Sequence, residues 1–259
     1  MEVLNPEIDL DKYFKNLYNA EKSALLLDYD GTLAPFKVER DKAYPYPGIT
    51  RILDDLLKSD KCRVVIISGR RVKDLILLLN LKKMPEIWGS HGWERLTPDN
   101  RYEVFEINER FIQGLARVDN WVTKEGLQER CEKKPACLAL HWRDLEPADV
   151  KNIRDKALRH WPAICSDSGL KIHEFNGGVE LRAPGRDKGF VVKKIISEIG
   201  NSIVSYIGDD ITDEDAFRAL GADGLGVFVS EKLRPTVADL WLKPPEELLD
   251  FLKMWATSL

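Results

Sequence analysis

The chain has 259 residues, 44% of them hydrophobic and 32% charged, a composition that excludes a disordered or fibrous protein. Lysine and arginine number 39 against 43 aspartates and glutamates, a net charge of -4 that argues against a nucleic-acid partner. The opening Met1-Glu2-Val3-Leu4-Asn5-Pro6-Glu7 lacks the basic and apolar blocks of a signal peptide, and apolar runs such as residues 75–79 fall far short of the ~20 needed to cross a bilayer. We therefore expect a soluble, cytoplasmic protein without a membrane partner. Cys62, Cys131, Cys137 and Cys165 form no C-x-x-C pair and read as ordinary thiols.

In chain order, residues 23–27 predict a buried strand that runs into Asp28-Tyr29-Asp30-Gly31-Thr32. Residues 63–67 predict a second, followed by Ser68-Gly69-Arg70 and a helix over 71–79 with Val72, Leu75, Ile76 and Leu79 on one stripe. Residues 101–107 and 136–143 alternate like half-exposed strands, with a helix between them and another over 148–160. Pro184-Gly185 then turns the chain into a helix over 188–199, a strand over 203–207 and the acidic run 209–215. Residues 245–255 predict a closing amphipathic helix. Strands alternating with helices imply an α/β fold, a Rossmann-like parallel-sheet core with an inserted α+β cap domain. The expected boundaries are core 1–102 and 180–259, insert 103–179.

Carboxylates placed after a buried strand of a parallel sheet lie at the edge where ligands bind. Asp28 and Asp30, two apart, project to one side of an extended backbone and can hold a hard cation or divide acid and base roles. Alone, this pair also reads as a solvated turn. A calcium loop is excluded because Leu33 stands where that loop needs Gly. Asp209, Asp210, Asp213, Glu214 and Asp215 repel one another unless solvent or a cation relieves them; oxygen donors without nearby His or Cys favour Mg²⁺ over zinc. The same run also reads as a solvated helix cap. Ser68 opens a helix, an anion site or a plain N-cap, and Lys188 opens another, where a cation is disfavoured unless something negative faces it. Together these parts suit phosphoryl transfer through an aspartyl intermediate.

Asp28-x-Asp30-Gly31-Thr32, Ser68, Lys188 and Gly208-Asp209-Asp210, in this order, resemble the haloacid dehalogenase superfamily of phosphatases. The finer features Ser68-Gly69-Arg70, Gly89-x-His91-Gly92 and Gly208-Asp209-Asp210-x-Thr212-Asp213-Glu214-Asp215 resemble the trehalose-6-phosphate phosphatase family. That resemblance implies that Asp28 attacks phosphorus and that Asp30 serves as acid and then base. Ser68 and Lys188 would stabilise the transferring oxygens, and Asp28, the Asp30 backbone carbonyl and Asp209 would bind Mg²⁺. Asp210 and Asp213 would orient water or Lys188. It also implies a small-molecule sugar phosphate substrate contacted by Arg70, His91, Lys134, His141, Arg143 and Glu180. Without it, Glu180 and Arg143 also read as a cross-strand ion pair, and His141 as ordinary packing. Asp187 stands where the family usually carries Asn, and Trp93 is bulkier than expected after His91-Gly92. A phosphatase for another sugar phosphate, a phosphomutase and a noncatalytic phosphate-binding domain are the competing readings.

Overall fold

The computed structural model describes residues 1–175, 177–221 and 224–259. The chain divides into two compact units, Met1–Glu103 with Arg186–Leu259, and Val104–Gly185. The first unit begins with β1 (Glu2–Val3), α1 (Leu10–Asn19), β2 (Ser23–Leu27), α2 (Ile49–Leu56), β3 (Cys62–Ile67), α3 (Val72–Leu79), β4 (Glu86–Gly89) and β5 (Glu94–Leu96). β6 (Tyr102–Val104) follows. The second unit contributes α4 (Glu109–Lys124), β7 (Cys131–Lys134), β8 (Cys137–His141), α5 (Pro147–Ser168), β9 (Lys171–Phe175) and β10 (Gly178–Arg182). The first unit then resumes with α6 (Lys188–Ile199), β11 (Ile203–Gly208), α7 (Glu214–Leu220), β12 (Gly224–Val229), β13 (Leu240–Leu242) and α8 (Glu246–Thr257).

The core sheet runs β1-β13-β12-β11-β2-β3-β4-β5-β6, and β13 through β4 are mutually parallel. β2 lies at its centre and is buried at all five positions, as a strand covered by helices on both faces must be. Leu25, Leu27, Val64, Ile66, Ile207 and Val227 join Leu53, Leu75, Phe251 and Trp255 from α2, α3 and α8 in one apolar core. On the opposite face α6 packs against α7, with Val191, Val192 and Ile195 buried. In the register of this sheet Leu27 pairs with Ile66 on one side and Ile207 on the other. The strands are parallel, so the loops after β2, β3 and β11 emerge side by side at one edge.

In the inserted unit a four-stranded antiparallel sheet, ordered β7-β8-β10-β9, packs against α4 and α5. Leu138, Leu140, Val179 and Leu181 are buried; the alternate residues place Glu132, Lys134, His141, His173, Glu180 and Arg182 on the other face. The expected boundary at residue 180 would cut β10, which is hydrogen-bonded on both sides within this sheet, so the return to the core falls at Gly185 and Arg186. The helix expected over 148–160 continues to Ser168 through Pro162, because Trp161 and Ile164 keep its buried stripe going. The alternation over 101–107 shortens to β6. Among the described residues no helix is long and apolar enough to cross a membrane.

Candidate active site

β2 ends in Asp28, which is buried, and Asp30 lies beyond the buried Tyr29. Gly31 turns the chain at φ +82°, and a Cβ there would stand 2.0 Å from Asp209 Oδ2, so the turn and the close approach both need Gly. The Thr32 hydroxyl, fully buried, donates to Asp209 Oδ1 at 3.3 Å. The loops after β2 and β11 thus meet, as the register requires.

Lys188, at the start of α6, lies between two carboxylates: its Nζ is 2.8 Å from Asp28 Oδ1 and 2.7 Å from Asp213 Oδ1. This is the negative partner that a lysine at a helix N-terminus calls for. Asp213 is wholly buried and also accepts the Tyr206 hydroxyl at 2.5 Å and the amides of Asp209 and Asp210 at 3.0 and 2.8 Å. Carboxylate oxygens of Asp28, Asp209 and Asp213 lie within 4.8 Å of one another. Burial pushes the Asp28 carboxyl up to about 7, with Lys188 opposing the shift and Asp213 adding to it. Burial, then Asp28 and Asp213, also raise Asp209 well above the usual carboxylate range. For Lys188, burial favours the neutral amine, but Asp213 and Asp28 outweigh it and the net shift is upward. Three carboxylates this close, which offer only oxygen donors and of which Asp28 and Asp209 are disfavoured as anions by burial and by their neighbours' charge, fit a hard divalent cation.

Asp30 does not join the cluster with its side chain. Arg70 grips both of its oxygens and also donates to the Arg40 carbonyl at 2.7 Å. Ser68 is buried; its hydroxyl accepts from the Arg70 amide at 3.2 Å and its carbonyl from the His91 amide at 3.1 Å. The His91 ring lies against Gly69, where a Cβ would come within 2.7 Å of it. The Ser68 and His91 loops therefore form one packed unit. Asp187 caps α6, its Oδ1 accepting from the Phe190 amide at 2.7 Å, a bond that an Asn oxygen would also accept. Arg186 stacks over Trp93 and Phe190, which gives the bulky Trp93 a partner within the core.

In the inserted unit, Lys134 Nζ stands 3.6 Å from Glu180 Oε2 and 3.8 Å from Glu132 Oε2. His141 Nε2 is 3.1 Å from Glu132 Oε2, and Arg182 lies 3.5 Å from Glu180. Lys134, His141 and Glu180 thus share one charged face. Arg143 lies beyond the end of β8 against Gly177, where a Cβ would come within 2.4 Å of its side chain. Sequence reasoning passed over Glu132 and His173, whose only signal is the two-residue alternation of β7 and β9. It expected Asp213 to orient water or Lys188; the structure sets Asp213 2.7 Å from Lys188, but its proximity to Asp28 and Asp209 needed the folded sheet.

A parallel-sheet core with aspartates at the carboxyl ends of two adjacent strands defines the class. A haloacid dehalogenase-like hydrolase of Bacteroides thetaiotaomicron shares this fold, with TM-score 0.66 at 14% identity over 90% of this chain and 98% of that one. Residues 26–237 match the trehalose-phosphatase family, and the chain belongs to it. A trehalose-6-phosphate phosphatase of Aspergillus fumigatus superposes with TM-score 0.70 at 25% identity, covering 98% of this chain and all of that one. A probable trehalose-phosphate phosphatase of Arabidopsis thaliana is 25% identical over 95% of this chain and 75% of its own length. An uncharacterized glycosyl hydrolase of Mycobacterium tuberculosis is 31% identical over 95% of this chain, which spans only 19% of that protein.

Proposed function

We propose that this chain is a Mg²⁺-dependent phosphatase that hydrolyses trehalose 6-phosphate to trehalose and inorganic phosphate, acting in the cytoplasm in trehalose biosynthesis. The observation that carries the reading is the buried Asp28 carboxylate, held 2.8 Å from Lys188 and beside Asp209. Membership of the trehalose-phosphatase family supports the substrate. Asp28 and Asp209, with the Asp30 backbone carbonyl, would hold the ion. Bound there, Mg²⁺ supplies positive charge that offsets the repulsion between a carboxylate nucleophile and a phosphate ester.

An Asp28 oxygen forms a bond to phosphorus as the bond to the sugar oxygen breaks, and Asp30 delivers a proton to that oxygen. Asp30 then takes a proton from water, whose oxygen attacks the aspartyl-phosphate and releases phosphate, restoring Asp28. Ser68 and Lys188 stabilise charge on the transferring oxygens, and Arg70 orients Asp30. Lys134, His141 and Glu180 supply donors and acceptors suited to sugar hydroxyls, with Arg143 and His91 as further substrate contacts.

Phosphate release from trehalose 6-phosphate and a panel of other sugar phosphates, with Mg²⁺ and with chelator, tests the reading. Turnover confined to another sugar phosphate would overturn the substrate, and appearance of an isomerised sugar phosphate would overturn hydrolysis.

A further inference from the structure

The acidic run after β11 is held from two sides. From within, Asp213 Oδ2 accepts the amides of Asp209 and Asp210 at 3.0 and 2.8 Å. From the other side, Arg234, in the segment after β12, donates from Nη2 to the Asp210 carbonyl at 2.8 Å and from Nη1 to Glu214 Oε1 at 2.5 Å. Glu214 is itself buried, and its second oxygen accepts the Val237 amide at 3.0 Å. Arg234 also donates to the Pro235 carbonyl at 2.8 Å and lies 4.5 Å over the Phe228 ring, so the guanidinium is fixed before it reaches the loop. Its neighbours Leu233 and Val237 are exposed, whereas Arg234 is half-buried.

We propose that Arg234 is a positioning residue for the cation site: by clamping the Asp210 carbonyl and Glu214 together, it sets the backbone from which Asp209 reaches Asp28. The proposal rests on the reading that Asp209 holds a divalent cation. A planar guanidinium can serve two acceptors on different elements at once, whereas a lysine ammonium offers the charge without the fork. Two physical roles predict opposite signs. If Arg234 acted only through its charge, its removal would tighten cation binding, because one positive charge would leave the neighbourhood. If it positions the loop, removal weakens binding.

The test is Mn²⁺ binding to the full chain, read from the electron paramagnetic resonance signal of free Mn²⁺, in the wild type, Arg234→Gln and Arg234→Lys, well below their melting temperatures. We expect a dissociation constant raised about tenfold or more in both variants, the size typical of lost outer support to a metal ligand. Unchanged or tighter binding in Arg234→Gln overturns the proposal, and so does wild-type affinity in Arg234→Lys, which keeps the charge and guards against a Gln variant that fails to fold. A wild type that binds no Mn²⁺ overturns the cation reading and the clamp together; a wild type that binds, beside variants that bind equally well, overturns the clamp alone.

Discussion

Arg70 and Asp30 are joined by two parallel hydrogen bonds, Nε to Oδ2 at 2.6 Å and Nη2 to Oδ1 at 2.7 Å. The sequence places Arg70 among residues expected to touch substrate, yet its guanidinium is committed to the carboxylate proposed as acid and base. Fork-to-fork pairing fixes both the plane and the position of that carboxylate, which a single bond would not. Arg70→Lys should therefore lower kcat by about 10- to 100-fold, in line with the contribution of a positioned acid or base. Steady-state rates on trehalose 6-phosphate check this. A variant as fast as the wild type would show that Asp30 needs no such grip.

Removing the cation between Asp28 and Asp213 leaves two buried carboxylates facing each other. Lys188→Met should cost about 3–5 kcal/mol in metal-free buffer, the range for breaking one side of a buried ion pair, and should abolish turnover. Urea unfolding of both proteins measures the difference. Equal midpoints would mean that the two acids are protonated or solvated at little cost.

Gly31→Ala asks a side chain to occupy φ +82° and to enter the space of Asp209 Oδ2. The backbone strain alone costs about 1 kcal/mol or more, and displacing Asp209 adds to it while disturbing the cation site. A lower melting temperature together with a higher Mg²⁺ requirement is the expected pair of results. A variant with normal values for both would show that the turn relaxes freely.

Chelation should stop turnover reversibly, and saturating Mg²⁺ should raise the melting temperature of the wild type, because a ligand that binds only the native state stabilises it by mass action. Asp209→Asn should largely lose that rise. Thermal shift with and without Mg²⁺ reads the effect independently of catalysis; an equal shift in the variant would remove Asp209 from the ligand set.

On the face of the inserted sheet, Glu180 is bracketed by Lys134 and Arg182. Glu180→Gln should raise KM for trehalose 6-phosphate far more than for a small generic phosphate ester, which has no sugar to contact. Equal losses on both substrates would assign Glu180 to the fold of the insert.

Much of the chemistry was legible before folding. Leu25, Leu26 and Leu27 run into Asp28, and residues 203–207 run into Gly208 and Asp209. A short apolar run that ends in acids marks the carboxyl end of a buried strand through local pattern alone. The inserted unit was harder to read. β7, Cys-Glu-Lys-Lys, carries almost no hydrophobic signal, and Glu132 gains significance only because hydrogen bonding to β8 turns it to the same face as His141.

The sequence by itself determined the fold class, the acids at the strand ends and the family, because each depends on residues close together in the chain or on motifs in fixed order. Tertiary structure alone decided the partnerships. Lys188 lies between Asp28 and Asp213, Arg70 on Asp30, and Arg234 across Asp210 and Glu214. Strand order, register and the path of distant loops select those pairs, and electrostatic attraction falls with a separation in space that spacing along a chain does not reveal.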